Sequence, residues 1–289
     1  LATVMVLLPL IGLMEKLVVF LFPDNGAQAE DQDMDRLEER FLQHPALSIE
    51  QSRLVTNSMA ERAAGNLLDA MALRTDFSEK GFHAISETES LIDRYEDKLG
   101  TYLMKITSRS LSSAQSEEVS KFLHTISDFE RISDHALNIS ETAKEIHDKN
   151  MVFSPAALRE LEIMESALRE ILAISIAAFV ANDIQQAARV EPLEEIIDIL
   201  VERLRDQHIK RLKDGACSID TGVVFLDVLN NAERISDHCS NVAARLVGME
   251  AGEDYDSHTL KNMMHHNPSK DYMLNYEPVS YTHLRAHET

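Results

Sequence analysis

Apolar residues return every third or fourth position along most of this chain, as in Val119, Phe122, Ile126, Phe129, Ala136, Ile139, Ala143 and Ile146. That spacing lines one face of an α-helix, because side chains three and four apart lie above one another at 3.6 residues per turn. The breaks are punctuated as helix ends should be. Ser154-Pro155 offers a capping hydroxyl followed by proline at the first turn, and Lys213-Asp214-Gly215 sets a cation before a closing glycine. Six main helices are predicted, near residues 48–76, 87–108, 116–149, 155–183, 189–213 and 219–248.

The second three copy the first three. ERISDH stands at Glu130–His135 and again at Glu233–His238, 103 positions later, within SDFERISDHALNIS and NNAERISDHCSNVA. TESLIDRYEDKL at 88–99 matches LEEIIDILVERL at 193–204, an offset of 105 that agrees closely with the first. A period of about a hundred residues spanning three helices describes a duplicated bundle. The expected fold is therefore all-α, two tandem three-helix bundles.

The ends differ from this pattern. LATVMVLLPLIGLMEKLVVFLFPD opens the chain, uncharged from Leu1 to Met14 before Glu15 and Lys16 interrupt it. A membrane span needs about 18 apolar residues, so residues 1–22 are expected to be a truncated transmembrane or juxtamembrane helix. An amphipathic cap helix and a signal peptide are the alternatives, the latter lacking a basic start. Residues 23–47, containing AEDQDMDRLEER, read as a charged linker; 48–150 and 151–250 as repeats 1 and 2; and 251–289 as an irregular tail. Within that tail, residues 279–289 (VSYTHLRAHET) resemble translated sequencing-adaptor sequence and are set aside.

Composition narrows the function classes. Hydrophobic residues are 44% of the 289, enough for a sizeable core, and Gly 9, Pro 7 and no Trp favour helix. With 28 basic against 49 acidic side chains the formal net charge is −21, a surface that repels phosphate backbones, so nucleic acid is not an expected partner. Cys217 and Cys239 form no paired motif and read as reduced core residues. Met59, Met71, Met104 and Met164 fall within apolar periodicity and read as core as well.

The charges that recur in both copies carry the candidate chemistry. Glu-x-x-x-Asp occurs in both second helices, as Glu89/Asp93 and Glu194/Asp198, and in both third helices, as Glu130/Asp134 and Glu233/Asp237. Spacing of four places two carboxylates one turn apart on one face, destabilising a helix by roughly 0.2–0.5 kcal/mol per pair unless a cation offsets them. Leu123, Leu137 and Leu226 bracket these pairs, so the acidic face leans toward the bundle. Two offsets are open: Arg131 and Arg234 reaching to a neighbouring helix, or a hard metal ion held by carboxylates of helices two and three. All-oxygen ligation suits magnesium, manganese, calcium or iron. His135 and His238 stand about 100° round the helix and read as polar flanks; Asn138 and Asn241 are weaker candidate oxygen donors. No histidine has Glu three residues before it, and no HExxH helix, P-loop or GxSxG elbow occurs, so an enzyme is not expected.

Two three-helix repeats with these paired motifs, above all ERISDHALN and ERISDHCSN, resemble the PhoU family over about residues 48–248. The resemblance implies a six-helix domain with metal clusters (iron, manganese or magnesium) on Glu89, Asp93, Glu130, Asp134, Glu194, Asp198, Glu233 and Asp237. The apolar lead-in, charged linker and FLQHPALSIEQSR resemble the membrane-to-cytoplasm junction of bacterial sodium/phosphate cotransporters. That implies the regulatory tail of a sodium-dependent phosphate symporter at the bacterial inner membrane, its helical domain in the cytoplasm. Its partners would be the transport core of the same full-length chain, with sodium and phosphate for the whole protein; a homodimer is compatible with the reading. The paired QSSS-type transport motifs are absent, Ser110–Gln115 being only a polar interhelical echo. The alternative is a freestanding PhoU-type adaptor acting on a separate transporter or signalling kinase.

Overall fold

A computed structural model describes residues 33–251. The expected truncated membrane helix, the first part of the linker and nearly all of the tail lie outside the described residues. Within them, the chain forms a 3-10 turn at Glu39–Gln43 and then seven helices: α1 Pro45–Leu73, α2 Glu79–Thr107, α3 Ser113–Asp148, α4 Pro155–Ala181, the short α5 Ile184–Ala187, α6 Val190–Lys213 and α7 Ile219–Ala251. No strand occurs among the described residues, and none of their helices is long and apolar enough to cross a membrane.

The helices group as read from the repeat, α1–α3 packing together and α4, α6 and α7 packing together. Local chemistry sets their ends. Ser154 accepts from the backbone N–H of Ala157 at 3.2 Å ahead of Pro155. Ser112 and Gln115 close a reciprocal capping box at the start of α3, which gives the Ser110–Gln115 echo its structural role. Gly215, at φ 68°, takes the left-handed turn after α6. Helix α2 starts eight residues earlier than predicted, capped by Ser78. Gly81 resembles a breaker in sequence, yet it is required here by space. A Cβ would lie 2.8 Å from Leu73 Cδ2 and 2.9 Å from Ser78 Oγ, so any larger residue would have to displace the Leu73 side chain and the capping hydroxyl.

The linker reading changes where it can be checked. Met34, Leu37 and Leu42 are buried, and Tyr102 donates to the Glu38 carbonyl at 3.0 Å. Residues 33–44 thus form a plug over one end of repeat 1. Asp35 and Glu39 of this stretch face water, Asp33 turns inward to accept from Ser58 Oγ at 2.7 Å, and the apolar residues are what bury it.

Two core assignments also change. Met104 is 60% exposed: it follows the fully buried Leu103, and adjacent residues point about 100° apart, so only one can face the core. Cys217 is half-exposed on the α6–α7 loop, whereas Cys239 is buried in α7. The repeats meet through α3 against α7 and α1 against α4. Phe129 and Phe179 stack edge to face at 4.9 Å, and buried Lys121 donates to Asn182 Oδ1 at 2.8 Å.

Candidate functional site

The eight carboxylates stand on α2 and α3 in repeat 1 and on α6 and α7 in repeat 2. In repeat 1, Glu89 and Asp93 of α2 face Glu130 and Asp134 of α3. The Glu130 side chain is only 15% exposed. Burial pushes its pKa up to about 7, and the negative charges of Glu96, Asp134 and Asp93 add to the rise against the relief offered by Arg131. Glu89 is raised as well, by burial first and then by Asp93 and Asp134. A carboxyl group that holds its proton near neutrality is short of positive charge around it. The donor set is hard oxygen, and it is under-neutralised, so these residues fit a hard cation.

The arginine alternative is met only in part. Arg131 stays on its own helix, 3.4 Å from Glu130 and 3.6 Å from Asp134, with its side chain 55% exposed. Arg234 likewise stays beside Asp237 at 3.7 Å. The arginine that does reach across is Arg205 of α6, which donates to Glu233 of α7 at 3.3 Å and to Asn230 at 3.2 Å. In repeat 2, Glu194 is buried and Asp198 lies one turn beyond it on α6. Among the described residues, no three His, Cys, Asp or Glu side chains close to metal-ligating geometry; in repeat 1 the carboxylates of α2 and α3 are near enough to raise one another's pKa.

Two acidic residues were missed. Glu96 joins the repeat 1 groove. Glu191, 3% exposed, accepts from Ser240 Oγ at 2.6 Å across α6 and α7. The signal was spacing: Glu96 falls three after Asp93, and Glu191 three before Glu194, each on the acidic face. Neither has a counterpart in the other repeat, so a search for recurring letters passes over both.

The histidines of the hexapeptide do different work. His135 Nδ1 lies 2.9 Å from Asn231 Oδ1, and His238 Nδ1 lies 3.0 Å from Asp128 Oδ1, with the two rings 5.8 Å apart. Positions 128 and 231 correspond in the repeat, as do 135 and 238, so the two contacts are related by the internal two-fold of α3 against α7. Asn241 donates to Asp128 at 3.0 Å; its amide therefore serves this seam and is not directed to a carboxylate groove. Burial lowers the His135 pKa, against the hydrogen bond to Asn231, which raises it; His135 Nδ1 carries the proton that Asn231 Oδ1 accepts.

Comparison with known proteins agrees with this architecture. The PhoU domain profile matches residues 56–143 and 161–246, together more than half of the chain. A relative from Thermotoga maritima, named as phosphate-specific transport system accessory protein PhoU homolog 1, is 23% identical over 190 residues, covering 65% of this chain and 81% of its own. The crystal structure of PhoU from Pseudomonas aeruginosa superposes with a TM-score of 0.66 at 19% identity, covering 70% of this chain and 97% of that one. The phosphate transport system regulatory protein PhoU from Streptococcus pneumoniae gives 0.64 at 19% identity, over 74% and 100%.

Proposed function

Because the chain belongs to the PhoU domain family, we propose that it is a non-enzymatic accessory regulator of phosphate transport, acting at the cytoplasmic face of a bacterial inner membrane on a transporter carried by another chain. The relatives' printed names support the accessory role. The observation that carries the cation-binding part is the acidic groove of repeat 1, where burial and crowding hold Glu130 at a pKa of about 7. Glu89, Asp93, Glu130 and Asp134 would hold one cation group, and Glu194, Asp198, Glu233 and Asp237 the other. A bound iron, manganese or magnesium ion would supply the positive charge that the repeat 1 groove lacks. Glu130 would have to give up its proton to serve as a ligand. Arg205, already on Glu233, sets the orientation of that carboxylate in repeat 2.

Pulling α2 toward α3 and α6 toward α7 would then tighten both bundles and shift the α3/α7 seam that joins them. This is how cation loading would be read by a partner. The apolar run at Leu1–Met14 favours a second reading, in which the partner is a sodium/phosphate transport core on the same chain.

Metal analysis of the purified protein tests the cation grooves. Glu130→Ala with Asp237→Ala should lower the bound metal, and unchanged metal content would remove the assignment. Phosphate uptake by cells tests the regulatory role. Deletion of residues 48–248 should alter uptake or its response to phosphate, and identical uptake would end that reading. Sequencing upstream of Leu1 separates the two partners.

A further inference from the structure

The seam between the repeats holds a pair of groups that the carboxylate sites do not use. His135 on α3 and His238 on α7 end the two copies of the hexapeptide, and their ring centres are 5.8 Å apart. Asn231 lies against His135 and Asp128 against His238, so α3 and α7 run antiparallel where they cross. Side chains lean toward the N-terminus of their own helix. Each histidine follows the crossing on its own helix, so both imidazoles lean back toward the same point.

Hydrogen bonds fix which nitrogen of each ring is available. Asn231 Nδ2 donates to the Asp227 carbonyl at 2.8 Å, which leaves Oδ1 as the atom facing His135 Nδ1 at 2.9 Å. An amide oxygen only accepts, so Nδ1 of His135 carries the proton. His238 Nδ1 lies 3.0 Å from Asp128 Oδ1, which also accepts from Asn241 at 3.0 Å, so here too Nδ1 donates. The other nitrogen of each neutral ring, Nε2, is then a bare lone pair. Among the described residues neither Nε2 meets a hydrogen-bond partner, and neither is sealed from solvent. The His238 side chain is 20% exposed and His135 is half-buried, so an ion can reach the pair.

An imidazole whose Nδ1–H is held by a carboxylate or carbonyl oxygen is oriented to bind a metal ion through Nε2. Two imidazoles on one tetrahedral ion, each bound at about 2.0–2.1 Å, bring their ring centres to roughly 5–6 Å of one another. The separation at the seam falls in that interval. Imidazole suits zinc, copper and nickel, whereas the carboxylates of the two repeats suit harder ions. Local charge permits a cation: Arg234, whose charge His135 feels, is turned to Asp237 at 3.7 Å, and Asp128 and Asp134 bring negative charge to the rings.

We propose that His135 and His238 form a separate metal site at the seam, taking zinc through their two Nε2 atoms with water completing its shell. Asp128 and Asn231 hold the rings and are positioning residues. Two protein ligands make an exchangeable site, unlike the four of a closed structural zinc. One ligand comes from each repeat, so the ion ties α3 to α7 and holds the two bundles together at their crossing. The carboxylate sites tie helices within one repeat; this site ties the repeats to each other and does not depend on the grooves being loaded.

Zinc alone, added to the full chain stripped of metal, is the probe. Histidines elsewhere, His265 and His266 among them, also take up zinc, so total metal content does not report on this pair. The imidazole nitrogen signals of His135 and His238, identified by NMR from their loss in His135→Gln and His238→Gln, should follow one shared zinc titration curve. In either variant the remaining histidine should need at least about tenfold more zinc. Asp128→Asn, which keeps the acceptor without its charge, should weaken binding about tenfold. Hydrogen exchange along α3 and α7 should slow with zinc in the unsubstituted chain and not in the two histidine variants. Urea midpoints of the metal-free proteins show that each variant is folded. Signals that do not move, that move at different zinc concentrations, or that keep the original curve after loss of the other histidine overturn the proposal. An equal response to magnesium overturns it too, since the ion would then sit in the carboxylate grooves and move the seam from there.

Discussion

The serine of the repeated hexapeptide offers a direct contrast, since the same letter meets two environments. Ser133 and Ser236 occupy equivalent positions and are both 0% exposed. Ser133 Oγ accepts from Asn66 Nδ2 at 2.9 Å, while that amide also donates to the Ile85 carbonyl at 3.3 Å, tying α1, α2 and α3 together. Ser236 Oγ has no partner. Ser175 of α4 donates to the Cys239 carbonyl of α7 at 3.1 Å.

Ser133→Ala removes a buried hydrogen bond and leaves Asn66 with one donor reduced, which should destabilise by about 1–2 kcal/mol. Ser236→Ala removes a buried hydroxyl that is desolvated without return, which should be neutral or stabilise by up to about 1–2 kcal/mol. Alanine's better helix propensity favours both variants by a few tenths of a kcal/mol, so it cancels in the comparison. Urea unfolding at fixed pH gives both values. The expected result is a difference of about 2 kcal/mol or more with Ser236→Ala the more stable. Equal destabilisation of the two variants would refute the reasoning, because it would mean that Ser236 has a partner worth as much as Asn66.

Other outcomes follow from the same geometry. Gly81→Ala should destabilise by about 1–3 kcal/mol through its clash with Leu73 and the Ser78 cap, whereas Gly65→Ala, with nothing within 4 Å of the new Cβ, should stabilise α1 by about 0.5–1 kcal/mol; thermal melts of the pair check this. Glu130, raised from its ordinary 4.5 to about 7, binds its proton more tightly folded than unfolded. Its contribution is therefore fully present below about 4.5 and fades as pH rises through about 7. Metal-free protein should lose stability over that window, and Glu130→Gln should flatten that part of the profile in urea titrations at each pH. Asp128→Ala should leave His238 and Asn241 without their shared acceptor and destabilise by about 1–3 kcal/mol; hydrogen exchange should show the loss of protection concentrated along α3 and α7.

Sequence periodicity and the internal repeat were sufficient for the helices, their grouping into two triplets and the acidic faces, because these depend on spacing along one helix at a time. Short-range chemistry was legible for the same reason, as Ser154-Pro155 and Lys213-Asp214-Gly215 show. What only the tertiary structure decided is what stands opposite each face. Six letters of ERISDH radiate around a helix at about 100° per residue. Two residues of each copy are buried in the core (Ile132 and Ser133, Ile235 and Ser236), the carboxylates lie on another face, and the histidines meet the other repeat. None of those neighbours is close in sequence. The same limit hid Glu96 and Glu191, the plug formed by residues 33–44, and the exposed side of Met104. It also hid the replacement of Leu103 and Ile106 by His208 and Arg211, since a repeat is found by what its copies share.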